Sequence, residues 1–143
     1  MATGQHYKAY KHAAYTVAKT RQVVMLYDGA IRFLAQAKEA IETNDIERRY
    51  NTLTRASEIV SGLQACLYFE AGEQAAQALF DFYSTIDLRI MQLHRTQDLE
   101  VLQQVITDIK EMREVWNGID RISESDSSEL PPPDPLAPTV VSA

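Results

Sequence analysis

His6, His12 and His94 are the only histidines of this 143-residue chain, and Cys66 is its only cysteine. A di-metal site in a helical bundle needs Glu-x-x-His pairs projecting inward from two helices, and the sequence contains no such pair. Nor do cysteine and histidine cluster as zinc ligands do. His94 could accept a phosphoryl group, but Asp98 stands one helical turn on and would repel it. A cationic histidine complementing the dipole at a helix C-terminus is the simpler reading. Cys66 has no histidine or basic residue at i±4 to activate it and reads as a buried, small apolar side chain. Glu70 and Glu73 flank a turn, where solvated acids are ordinary. The glycines stand apart from one another, so no phosphate-cradling loop is formed. Neither catalytic residues, a cofactor nor a metal are expected, and the chain reads as a binding protein rather than an enzyme.

The elements that would position a binding surface are helices. All five prolines fall between Pro131 and Pro138, and residues 1–130 contain none. From Thr20 to Glu42 apolar residues recur at Val23, Tyr27, Ala30, Leu34, Ala37 and Ile41, alternating steps of four and three that mark one helix face. Thr43-Asn44-Asp45 makes a turn and supplies an N-cap. A second stripe runs through Ile46, Tyr50, Leu53, Ala56, Val60, Leu63 and Leu67, closed by Glu70-Ala71-Gly72 with Gly72 free to cap. The third is Ala75, Leu79, Phe82, Ile86, Ile90 and Leu93. After a turn at Thr96-Gln97-Asp98, with Asp98 as N-cap, the fourth is Leu99, Leu102, Ile106, Ile109, Met112, Trp116 and Ile119. Short connections favour antiparallel neighbours. The expected fold is all-α, an antiparallel up-down four-helix bundle over residues 20–122. A basic N-terminal arm (1–19) precedes it, and a disordered, acidic, Pro-rich C-terminal tail (123–143) follows.

A net charge of −6 argues against general nucleic-acid binding, which rests on a strong positive field. No apolar run approaches a membrane span, so no stable membrane insertion is expected. The lone cysteine suits a reducing, cytoplasmic setting.

Several helices carry more apolar surface than one core stripe requires. On the second, Ile59, Gly62, Cys66 and Phe69 follow i, i+3, i+7, i+10 spacing, rotated from the core face. On the first, Val24 and Ile31 stand among polar neighbours, one heptad apart. On the third, Phe80 and Met91 lie on a shoulder. These are either the edges of a wide core or a groove for apolar segments of a partner. Gly62 would let another backbone approach closely, and methionine suits a surface that adapts. In the arm, Tyr7, Tyr10, Ala14 and Val17 repeat the same spacing, as a weak amphipathic helix or as a strap docked by its tyrosines.

Three stretches also resemble the flagellar export chaperone family FliS: the arm Tyr7-Lys8-Ala9-Tyr10, the run Leu26-Tyr27-Asp28-Gly29-Ala30-Ile31, and Met112-Arg113-Glu114-Val115-Trp116. The resemblance spans residues 7 to 120. It departs at Ala18-Lys19-Thr20-Arg21, where the family carries a proline and an acid. It implies a cytoplasmic four-helix chaperone of the flagellar type III secretion system. Its client would be the disordered C-terminal segment of flagellin, kept from premature polymerisation and delivered to the export gate. The resemblance makes Leu26, Tyr27, Gly29 and Trp116 motif residues and assigns the Tyr7–Tyr10 arm to client or gate docking. Without its client the protein is expected as a monomer or weak dimer. The alternative is a homo-oligomeric structural bundle whose second stripes pair with copies of itself.

Overall fold

The computed structural model describes the backbone of residues 2–67 and 73–129, and the side chains of 19–67 and 74–118. Four helices follow one another, α1 (Ala2–Glu42), α2 (Ile46–Ala65), α3 (Glu73–Thr96) and α4 (Leu99–Glu129). No strand occurs among the described residues. The chain divides into two compact units, one of Met25–Arg113 and one of Met1–Val24 with Glu114–Ala143.

Within the Met25–Arg113 unit, polar contacts reveal the direction of each helix. Asp28 pairs with Arg113, Nη2 to Oδ2 at 3.3 Å, and Lys38 donates to Gln103 at 3.4 Å. Advancing along α1 therefore means retreating along α4. Between α2 and α3, Tyr50 meets His94, Ser57 donates to Asp87, and Gln64 reaches Ser84 at 2.6 Å, again in antiparallel order. Arg48 on α2 bridges to Glu39 on α1 at 3.2 Å, and Arg89 on α3 to Asp108 on α4 at 2.9 Å. The result is the up-down four-helix bundle.

Its core holds Tyr27, Ala30, Leu34 and Ala37 from α1, and Leu53, Ala56, Val60 and Leu63 from α2. Joining them are Ile86, Ile90 and Leu93 from α3 and Leu102, Ile106 and Ile109 from α4. These residues follow the expected stripes. The upper part of α3 does not: Ala76 and Tyr83 are buried, while Ala75 is exposed and Phe82 half-buried. A period of 3.6 barely separates neighbouring positions of equal hydropathy, and Tyr83 finds a polar partner inside. Ile46, Tyr50 and Leu99 stand exposed although they belong to expected core stripes.

The helix ends differ more. α1 begins at Ala2, so Thr20, where the sequence starts the first bundle helix, is a buried residue within a longer one. No glycine or proline near Ala18-Lys19-Thr20-Arg21 interrupts the helical run. Of the two conformations open to the arm, helix is the one adopted. α2 stops at Ala65 with Cys66 as its C-cap residue, earlier than expected. Phe69 and the Glu70-Ala71-Gly72 turn lie outside the described residues. α4 continues through Glu129, into the segment the sequence assigns to the tail; residues 130–143 lie outside the described part.

Both short turns work as expected. The Asp45 carboxylate accepts from the Arg48 amide at 3.1 Å. Asp98 accepts from the amides of Glu100 at 3.0 Å and Val101 at 3.2 Å, satisfying orphan donors of the helix N-terminus. Each turn passes through one left-handed residue, Asn44 at φ 56° and Gln97 at φ 52°. No helix, among the described residues, is long and apolar enough to cross a membrane.

Candidate functional site

The Leu26–Ala30 run divides its side chains among three tasks. Tyr27 and Ala30 enter the core, where the Tyr27 hydroxyl shares a 2.6 Å hydrogen bond with that of Tyr83. Burial pushes the Tyr83 hydroxyl above the usual tyrosine value of 10.0, while the Tyr27 hydrogen bond acts the other way. Gly29 is buried where α2 crosses, and a Cβ there would lie 3.3 Å from Cδ1 of Ile59. Asp28 faces outward to the Arg113 guanidinium, which joins the second motif run, Met112–Trp116, to the first. Leu26 is exposed. In the other unit, Trp116 is half-buried.

The groove residues expected from the sequence occupy several places. Gly62 and Cys66 are exposed, with open space around the Gly62 Cα. The Gln64 side-chain amide donates to the Phe80 carbonyl at 3.0 Å, so this stretch of α2 and the exposed Phe80 ring belong to one level of the α2/α3 pair. Ile59 is half-buried and turned toward Gly29 of α1. Ile31 is half-buried on α1, and Val24, in the other unit, likewise. Met91 is exposed near the far end of α3. Tyr7 and Tyr10 lie on α1, and their side chains fall outside the described residues.

Two chemical expectations are corrected. Cys66 is exposed rather than buried, because α2 ends one residue before it. His94 stands in the last turn of α3, as expected, but half-buried rather than as a free cation. Its ring lies against Tyr50, with centroids 5.4 Å apart, and burial first, then the positive charge of Arg49, hold it below the ordinary 6.5. No group of three or more potential metal ligands occurs among the described residues.

Sequence reasoning missed the surroundings of this histidine. Ile46, Glu47, Arg49, Tyr50 and Thr54 of α2, with Met91 and His94 of α3, line a cleft of about 530 Å³. Ile46 and Tyr50 look like core residues in the stripe of α2, which concealed their place on the surface. Arg49 carried no signal in a helix rich in charge.

What the described residues build is an all-helical bundle with a closed core and bulky apolar side chains left outside it. A sequence profile of the family described as flagellar protein FliS matches residues 3–123. Flagellar secretion chaperone FliS of Vibrio cholerae is 33% identical over 97 residues, covering 68% of this chain and 71% of its own. The protein of that name from Campylobacter jejuni is 30% identical over 115 residues, covering 79% and 89%. That from Salmonella typhimurium is 27% identical over 125 residues, covering 83% and 93%. The chain belongs to the FliS family.

Proposed function

We propose that this chain is a cytoplasmic export chaperone, not an enzyme. It binds the disordered C-terminal segment of flagellin, prevents its premature polymerisation and delivers it to the flagellar type III export gate. The observation that carries this reading is a filled core beside exposed bulky apolar residues, Phe80 and Met91 among them. Such residues on a bundle offer contacts to an apolar partner segment. Relatives named flagellar secretion chaperones support the export role.

The energetics require a wide contact. Ordering about 30 residues of a disordered client costs at least about 30 kcal/mol of backbone entropy. At about 25 cal/mol per Å², roughly 1,200 Å² of apolar burial offsets that. One pocket is too small, so the client wraps several helices, and Ile31, Ile59, Gly62, Cys66, Phe80 and Met91 are proposed contacts along them, with Val24 a further proposed contact in the other unit. The Tyr7–Tyr10 arm docks to client or gate. The Pro-rich segment after Glu129 serves as a solubilising spacer.

Isothermal titration with the C-terminal segment of flagellin from the same organism tests the reading. One-to-one binding with a large negative heat-capacity change is expected. Phe80→Asp should weaken it with helicity intact, and is a cleaner probe than Ile59→Asp, which would place a charge against Gly29. No complex with a folded chain would refute the client. Light scattering that found a stable oligomer persisting with client present would favour the homo-oligomeric bundle instead.

A further inference from the structure

The cleft at the N-terminal end of α2 holds a combination that the helix stripes do not explain. Its walls are apolar side chains left in water: Ile46 is 67% exposed, Tyr50 60% and Met91 59%. Between them lies Arg49. The Nε–H of Arg49 is buried and has no acceptor among the described residues, whereas the adjacent Arg48 bridges to Glu39 at 3.2 Å. A buried, unsatisfied donor on a cation is costly, and Arg49 is the one cationic side chain besides His94 in the lining, so an anion entering the cleft would meet its charge. Glu47 shares the lining but makes no ion pair with Arg49.

We propose that this cleft takes a short acidic–apolar segment of a partner polypeptide, a carboxylate on Arg49 and the neighbouring bulky side chain between Met91 and the Tyr50–His94 ring pair. The volume, about 530 Å³, suits a few side chains and lies within the range of small-ligand sites. A guanidinium favours a carboxylate over other polar groups because two N–H groups can meet both oxygens. The Tyr50–His94 ring pair, centroids 5.4 Å apart, forms one wall for the same guest. The proposal requires no particular export client, and Met91 belongs both to the wrapped path and to this cleft.

The test is a nuclear magnetic resonance titration of the full chain with acetyl-Leu-Glu-Leu-amide, the amide analogue acetyl-Leu-Gln-Leu-amide serving as control. The acidic peptide should shift the signals of Ile46, Tyr50, Met91 and His94 and saturate at millimolar concentration. The control should bind about tenfold more weakly, corresponding to about 1.4 kcal/mol. Arg49→Gln should abolish the preference, and Met91→Glu, which sets a competing carboxylate on the exposed rim, should abolish binding in a chain of unchanged helicity. Equal affinity for both peptides, undiminished preference in Arg49→Gln, or shifts confined to other surfaces would overturn the proposal. So would light scattering that shows a dimer dissociated by Arg49→Gln, which would make a second copy the occupant. None of these failures bears on flagellin titration, which is read separately.

Discussion

The hydroxyls of Tyr27 and Tyr83 meet at 2.6 Å, and both side chains are almost wholly excluded from solvent. Each ring contributes apolar area to the bundle interior, and the buried Tyr83 hydroxyl is satisfied there by its bond to Tyr27. The pair therefore couples α1 to α3 across the bundle.

Tyr27→Phe should remove the partner of the buried Tyr83 hydroxyl and cost about 1–3 kcal/mol, measurable as a lower urea midpoint. Replacing both tyrosines by Phe should cost less than the sum of the single changes, since the hydrogen bond they share is then lost only once. The intact pair also predicts alkaline sensitivity. Tyr83 ionises above the ordinary 10.0 in the folded chain, so its contribution is fully present below that value and is lost as pH rises through the higher folded value. A strictly additive double variant would show that the hydroxyls find other partners.

Gly29 serves a close crossing. A Cβ at that position would press on Cδ1 of Ile59 at 3.3 Å, and a branched side chain would force the two helices apart. Gly29→Val should destabilise the bundle by about 1–3 kcal/mol. In an Ile59→Ala background the same change should cost clearly less. Equal penalties in the two backgrounds would mean that Ile59 is not what Gly29 makes room for.

Much of this was legible beforehand. Alternation by threes and fours placed the buried faces of α1, α2 and α4, and Asp45 and Asp98 were recognisable caps because their side chains precede runs of apolar periodicity. The beginning of α1 was not, since Thr20 carries the chemistry of a cap while the residues before it carry no breaker. The polar pairing of Tyr83 with Tyr27 joins residues distant in sequence, and periodicity is blind to such pairs. Arg49 went unnoticed because its distinction is a buried Nε–H without an acceptor among the described residues, which only three-dimensional packing can define.

His94 gives the bundle a second pH response, on the acidic side. Its folded value lies below 6.5 through burial and the nearby Arg49, so the unfolded chain takes up the proton first as pH falls. The contribution of the neutral ring is fully present above 6.5 and is lost as pH falls through the folded value. Urea midpoints compared between pH 7 and roughly pH 5 should therefore fall less in His94→Gln than in the parent chain. Parallel pH profiles for the two would remove His94 from the explanation.

The turn at Asn44 and the turn at Gln97 are the shortest connections in the bundle, so the chain is assembled from two local hairpins, α1 with α2 and α3 with α4. Closing each costs little loop entropy, and the Glu39–Arg48 and Arg89–Asp108 bridges lie inside them. The Tyr27–Tyr83, Ser57–Asp87 and Asp28–Arg113 contacts all run from one hairpin to the other. They join residues far apart in sequence and should form late on the way to the folded state. Tyr83→Phe should then shorten the lifetime of the folded chain while scarcely slowing its formation, making the buried tyrosine bond a latch on unfolding.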